Sequence, residues 1–474
     1  MADISLTFDR GTLVLRGATT PPRELFPQTA WTWDYRINAW RCDAIEYPKI
    51  IPLLEGGDLG VVDTVPQWES VAWPQPALRK LREEQAAAVR LWSFARQGLV
   101  VMPTGTGKTE VALHILAETA CSTLVVVPVR DLMYQWHRRI LEALGYDAGL
   151  IGDQVFRVRP VSITTYDSAC IHAERLGDRF RLLVFDECHH LPGELRRDAA
   201  RMSAAPWRLG LTATPERSDG RHADLEWLVG PLVYSMPLAE VRGKSLADYD
   251  VVRIPVHLSE AEQAQYDSCS RTVRSFIAEQ RKTQPSYSWK DLCAATGKTP
   301  DARRAMRAYH AKKAIEDRAE EKLRVLEDLF RLHAAEPCIV FAGSNSMARD
   351  VSRRFLVPCL LNHCRKRERL EILQGFAKGV YPAIVANQVL DEGVDLPEAK
   401  VAIVLGGTSS GRQAKQRLGR VLRKSGNARA VLYEVVCADT KEEMRSRRRR
   451  ATDAYASVQH RRALPRKGPT PSNQ

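Results

Sequence analysis

The 474-residue sequence is short of the features that would direct it to a membrane, a secretory route or a metal centre. Its ten cysteines include no CxxC pair and no regular metal-ligand spacing, so they read as reduced core thiols of an intracellular protein. The run Cys188, His189, His190 lacks the distant partners that a structural zinc site needs. No apolar run approaches the roughly 20 residues of a membrane span. The N-terminal MADISLTFDRG has no basic segment followed by an apolar one. A soluble, cytoplasmic, nucleoid-associated protein without a membrane partner is expected. No segment reads as an attached nuclease domain, which sets aside a restriction-type translocating subunit.

What is present suits a folded protein with a polyanionic partner. Apolar residues make up 44% and charged residues 27%, the balance of an ordinary globular chain. The length allows two or three domains, each with its own core. Seventy Lys and Arg against 57 Asp and Glu leave a formal charge of +13, which favours nucleic acid.

Texture divides the chain. Residues 1–75 open with ISLTFDRGTLVLRG, alternating apolar positions around an Asp-Arg-Gly turn, the pattern of a β-hairpin. Trp31, Trp33, Trp40, Trp68 and Trp73 also fall here; their rings either fill the core of a small domain, the favoured reading, or stack on nucleic acid. Between 76 and 250, the runs GLVVM, STLVVVP, VSITTY, RLLVFD and WRLGLTAT alternate with helical stretches, and PCIVFAG, PAIVANQ, KVAIVLGG and ARAVLYEVV repeat the pattern over 329–450. Continuous apolar strands separated by helices predict two tandem α/β domains, each with a parallel sheet covered on both faces. Residues 251–328 are helical and charged, with Arg271, Arg274, Arg281, Lys282, Lys290, Arg303, Arg304 and Arg307, a solvated insertion that could also grip nucleic acid. Arg445 to Arg450 reads as a basic helix end or a phosphate contact, and 451–474 as a basic, disordered tail.

The chemistry sits in three stretches. MPTGTGKTE follows a strand-like run and precedes a helical one, the context of a P-loop, in which backbone N–H groups and a helix N-terminus receive phosphates. Gly105 and Gly107 permit close approach, Lys108 would reach the β- and γ-phosphates, and the Thr109 hydroxyl would bind Mg²⁺; Met102 replaces the first glycine of the general pattern. In RLLVFDECHH, Asp186 ends a buried strand where a carboxylate can hold Mg²⁺, and Glu187 can act as general base toward water. Third, KQRLGRVLR has the form Gln-x-x-Gly-Arg-x-x-Arg from Gln416. On a helix, Arg420 and Arg423 face the same way, fit to stabilise charge on a γ-phosphate.

With these stretches in order, the sequence resembles a superfamily 2 helicase motor. LREEQ, VVPVRDL, TTYDS, DECHH, TAT, VLDEGVDLP and QRLGRVLR succeed one another between residues 79 and 423. The resemblance implies two RecA-like lobes that use ATP and Mg²⁺, with Arg82 and Gln85 on the adenine side and Thr104, Gly105, Thr106, Gly107, Lys108 and Thr109 around the phosphates. It places Gly393, Asp395 and Gln416 on the second lobe's side of the nucleotide, assigns coupling to Thr212 and Thr214, and puts Pro128, Arg130 and Thr165 near a tracking DNA strand.

Within that superfamily the chain is most similar to the XPB (xeroderma pigmentosum group B) family in its short prokaryotic form, through RGTLVLRG, TTYDSA, DECHHLP, the helical insertion and QVLDEGVDLPEA. This resemblance implies a damage-recognition-like N-terminal domain, a thumb-like insertion, 3′ to 5′ polarity, a role in nucleotide excision repair or promoter opening, and a nuclease partner. The family carries an Arg-Glu-Asp element after TAT. Here it reads Arg217, Ser218, Asp219, without the middle carboxylate, and Arg217 and Asp219 are expected to close the lobes or separate DNA strands. Two alternatives stand beside the motor: an ATP-gated scaffold for a nuclease, and an RNA helicase, which Asp-Glu-Cys-His in place of Asp-Glu-Ala-Asp disfavours.

Overall fold

The computed structural model describes residues 4–18, 20–56, 60–217, 219–237, 249–361, 363–387, 399–406, 430–450 and 461–462. Two compact units divide between Val241 and Arg242.

The first unit opens with the expected hairpin. Ile4–Asp9 pairs antiparallel with Thr12–Arg16, and Arg10 and Gly11 both take positive φ, as a tight two-residue turn of matching twist requires. Thr32–Asp34, Ala39–Asp43 and Val61–Asp63 complete a five-stranded sheet. Its core of Leu6, Leu13, Leu15, Phe26, Tyr47 and Ile50 closes on Ala204 of the larger sheet's layer, and Trp31, Trp40 and Trp68 pack against it. Those three tryptophans are core material.

The eight-stranded sheet of this unit runs in the order Leu232–Ser235, Gln97–Val101, Trp207–Thr212, Leu182–Asp186, Thr123–Val127, Val161–Thr165, Gly149–Gly152, Val155–Arg157. All pairs are parallel except the last. Thr123–Val127, Val161–Thr165 and Leu182–Asp186 are buried along their whole length, which explains their unbroken β-branched and apolar runs: both faces are covered by helices. Parallel pairing also brings the C-terminal ends of seven strands to one edge, the usual ligand-binding edge of an open α/β sheet.

Among the described residues the second unit has seven parallel strands: Cys359–Leu360, Ala383–Ala386, Cys338–Phe341, Val401–Val404, Ala430–Cys437, Tyr249–Val256 and Arg461–Arg462. Tyr249–Val256 pairs residue for residue with Ala430–Cys437. Leu326 and Leu329 of helix Glu320–Leu332 lie in this unit's core. Within the expected helical insertion over 251–328, strand Tyr249–Val256 pairs in the second sheet and helix Glu320–Leu332 contributes to its core, while helices Glu260–Thr283, Trp289–Thr296 and Pro300–Arg318 pack on one another. Pro255 and Arg253 blunt the strand signal of Tyr249–Val256, and its partner lies far along the chain.

A buried ionic network ties the insertion to this unit. Lys322 and Glu442, neither with any exposed side-chain surface, pair at 2.7 Å, and Lys322 Nζ also donates to the Leu405 carbonyl. Tyr266 Oη donates to Glu316 Oε1 at 3.0 Å and accepts from the Lys441 backbone N–H, while Arg445 bonds the other Glu316 oxygen at 2.5 Å. Satisfied this way, the charges can be buried at modest net cost, whereas removing one partner would strand the other.

Candidate nucleotide-binding site

The P-loop links strand Gln97–Val101 to helix Lys108–Thr119. Gly105 and Gly107 have φ of +85° and +83°. A Cβ on Gly107 would lie 2.3 Å from Gln85 Nε2, so both conformation and space demand glycine. Gln85 clamps the loop: its Nε2 donates to the Thr106 carbonyl at 2.8 Å, its Oε1 accepts from the Arg82 N–H at 2.9 Å, and the Arg82 guanidinium also bonds the Thr106 carbonyl. Thr106 Oγ1 donates to the Pro103 carbonyl, and Lys108 Nζ, buried, donates to the Met102 carbonyl at 3.2 Å. Thr104 Oγ1 is buried with no hydrogen-bond partner among the described residues.

Asp186 ends the neighbouring core strand. Trp136 Nε1 donates to its Oδ2 at 2.8 Å, and the Glu187 N–H donates to Oδ1 at 3.0 Å. Burial and the adjacent Glu187 carboxylate raise the Asp186 pKa, while Trp136 and the Lys108 ammonium oppose that rise. A carboxylate held in this way gains from a cation. Glu187 adopts φ +49°, a left-handed backbone that turns the chain sharply out of the strand into Cys188–His190.

From Glu187 a chain of contacts runs to the next strand end. Glu187 Oε2 lies 3.4 Å from His189 Nδ1, which stands 3.1 Å from Thr212 Oγ1. Thr212 Oγ1 donates to the Thr214 carbonyl and accepts from the Thr214 N–H. Arg217 Nη1 donates to the His189 carbonyl at 2.6 Å, and its Nε and Nη2 grip both oxygens of Asp219 at 2.9 and 2.6 Å. The guanidinium holds the Asp219 carboxyl well below the usual range.

Thr165 ends its strand and caps helix Tyr166–Ile171, accepting from the Ser168 N–H. Arg130 starts helix Arg130–Leu144 and pairs at 2.7 Å with Asp153, which also accepts from Tyr134 Oη. Pro128 follows strand Thr123–Val127.

Three family models match this chain: a Type III restriction enzyme res subunit over residues 78–217, an ERCC3/RAD25/XPB C-terminal helicase over 304–454, and a xeroderma pigmentosum group B damage recognition domain over 6–65. The DNA 3′-5′ translocase XPB2 of Sulfurisphaera tokodaii is 39% identical over 88% of this chain and 95% of its own length. The chain belongs to the XPB helicase family. Another XPB relative, a DNA 3′-5′ helicase of Kineococcus radiotolerans, is 31% identical over 77% of this chain, which spans 61% of that protein. In fold, the chain is similar to S. cerevisiae Dbp5 bound to RNA and ADP BeF3, with TM-score 0.55 and 15% identity over 81% of this chain and 90% of that one. A Pyrococcus furiosus Hef helicase domain matches at TM-score 0.50 and 18% identity over 76% and 97%.

Against the XPB motif set, the first unit gathers Arg82, Gln85, the P-loop, Asp186, Glu187, Thr212, Thr214 and Arg217 along one sheet edge. Gly393, Asp395, Gln416, Arg420, Arg423 and Ser218 lie outside the described residues. Two contributors escaped the sequence reading. Trp136 gives no local signal, because its partner is 50 residues away. His189 is conspicuous in DECHH, but its part as a bridge to Thr212 depends on which strand lies alongside.

The residues present fit a nucleotide and its metal. The Thr104 hydroxyl without a hydrogen-bond partner among the described residues, the P-loop that admits only glycine at 107 and the carboxylate of raised pKa all call for a polyanion and a divalent cation. Thr109 and Asp186 would hold Mg²⁺, which when bound offsets charge on the β- and γ-phosphates. Among the described residues no helix is long and apolar enough to cross a membrane.

Proposed function

We propose that this chain is an ATP-driven DNA translocase or helicase of 3′ to 5′ polarity that opens or remodels duplex DNA, in repair and promoter opening. The observation that carries the reading is the unbroken line of contacts from Asp186 and Glu187 through His189 to Thr212, Thr214 and Arg217. It gives the hydrolytic carboxylates a mechanical route to the strand ends where DNA contacts are expected.

In this mechanism the P-loop N–H groups and Lys108 bind the phosphates, and Gln85 with Arg82 fixes the loop for them. Glu187 accepts a proton from the attacking water, and Asp186 keeps its own carboxylate ionised for the metal. Arg420 and Arg423 supply positive charge for the γ-phosphate. Loss of that phosphate changes what His189 and Thr212 hold, and Arg217 transmits the change to DNA. Pro128, Arg130 and Thr165 take the phosphate backbone, with Arg130 exchanging Asp153 for DNA; such contacts carry little sequence information. A nuclease is the proposed protein partner, and the cytoplasmic nucleoid the place of work.

ATP turnover with and without duplex or forked DNA tests the reading. DNA is expected to stimulate the wild type and leave Lys108→Ala inert. Equal turnover by that variant, or no stimulation by any DNA, refutes a DNA motor; ATP-dependent capture of a nuclease without strand movement would replace it with a scaffold.

A further inference from the structure

The motor chemistry leaves unused an aromatic pair on the helical insertion. Trp289 begins helix Trp289–Thr296 and Tyr309 lies in Pro300–Arg318; their ring centres are 4.2 Å apart with planes inclined at 46°. His310 adds an edge-on ring 5.7 Å from Tyr309. The insertion's own small core is filled by Tyr287, Leu292, Ala302 and Ala305, so the pair is not needed to close it. Trp289 is 45% exposed, apolar surface that folding leaves in water.

Its position is nonetheless fixed. The Ser288 N–H and hydroxyl donate to Asp291 Oδ2 at 2.8 and 2.6 Å, and Arg281 Nε donates to the Tyr287 carbonyl at 3.3 Å, so the turn that presents Trp289 is tied from both sides. Cations lie on the same two helices. Lys290 follows it directly, and Lys313 stands one turn on from Tyr309, on the same side of that helix. Lys290 lies near the Asp291 carboxylate and Lys313 near Asp317, but neither forms a salt bridge within 4 Å among the described residues, so both ammonium groups keep free donors.

We propose that Trp289, backed by Tyr309, is a stacking post for an unpaired DNA base, with Lys290 and Lys313 receiving the flanking phosphates. The proposal rests on the DNA-motor reading and sharpens it. An exposed ring face with cations along the same helices matches single-stranded nucleic acid, where every base offers a π-face to an aromatic side chain. A paired base inside a duplex shows only its edges in the grooves, so the post favours forks and single strands over blunt duplex.

The test uses the full chain and two DNA probes of equal length, a fork with 2-aminopurine at the first unpaired position and a blunt duplex. Trp289→Ala is expected to weaken fork binding about tenfold, and duplex binding by about twofold or less, with Trp289→Phe recovering most of the loss. Lys313→Gln weakens both probes alike and lowers the salt dependence by about one unit of slope. Unchanged fork binding in Trp289→Ala, or an equal loss on both probes, overturns the stacking post and leaves the motor reading intact. Wild-type protein that binds neither probe overturns that reading instead. Should Trp289→Ala not fold, 2-aminopurine emission decides: quenching on binding to the wild type supports the proposal, and emission identical free and bound refutes it.

Discussion

Trp136→Phe isolates the part of the nucleotide site that no motif announces. It removes the 2.8 Å bond from the buried indole N–H to Asp186 Oδ2 while keeping most of an aromatic ring in place. A hydrogen bond to a charged group is worth about 1.5–3 kcal/mol, so at 1.36 kcal/mol per unit the Asp186 pKa, already raised by burial and Glu187, climbs by about a further 1–2 units. Protons then compete with Mg²⁺ at that carboxylate over a higher pH range. The Mg²⁺ concentration for half-maximal ATP turnover should rise about two- to tenfold at pH 7, and the acid limb of the pH profile should move upward by about 1–2 units. The sign for folding is opposite to that of an ordinary salt-bridged carboxylate. Because the folded pKa is raised, ionised Asp186 destabilises the fold above its unfolded pKa, and losing Trp136 deepens this at neutral pH more than in acid. Mg²⁺ titrations of turnover at several pH values, with melting curves as a fold control, check it. A variant that melts near the wild type, needs no more Mg²⁺ and keeps its acid limb would refute the role assigned to Trp136.

Lys322→Met alone should destabilise the second unit by roughly 3–5 kcal/mol, because it strands the buried Glu442, and Lys322→Met with Glu442→Leu should regain most of that in denaturant melts. A double variant no better than the single one would mean the pair supplies something its packing does not. For Arg217→Ala, DNA-stimulated turnover should fall more than basal turnover, since the substitution cuts the link from His189 to Asp219. Its melting deficit should be largest at neutral pH and shrink as pH falls through the carboxylate range, because the depressed Asp219 pKa contributes stability only above its unfolded value.

Sequence alone was enough for everything written in short-range spacing. The P-loop, the Asp186–Glu187 pair and the Asp-Arg-Gly hairpin are local because each is one turn's backbone chemistry: positive φ at Gly105, Gly107 and Gly11, and a buried strand that delivers Asp186 to its end. Apolar runs buried on both faces were likewise legible as parallel strands. Tertiary structure decided what those pieces touch. Tyr249–Val256 counts as a strand only because Ala430–Cys437 pairs with it, and Lys322 can be buried only because Glu442 arrives from 120 residues away. Trp136 meets Asp186, and Arg217 meets the His189 carbonyl, because of the order in which strands lie in the sheet. Local propensity carries no record of that order. It emerges when distant apolar faces are buried together, and the polar groups brought along must then find partners among whatever neighbours the packing supplies.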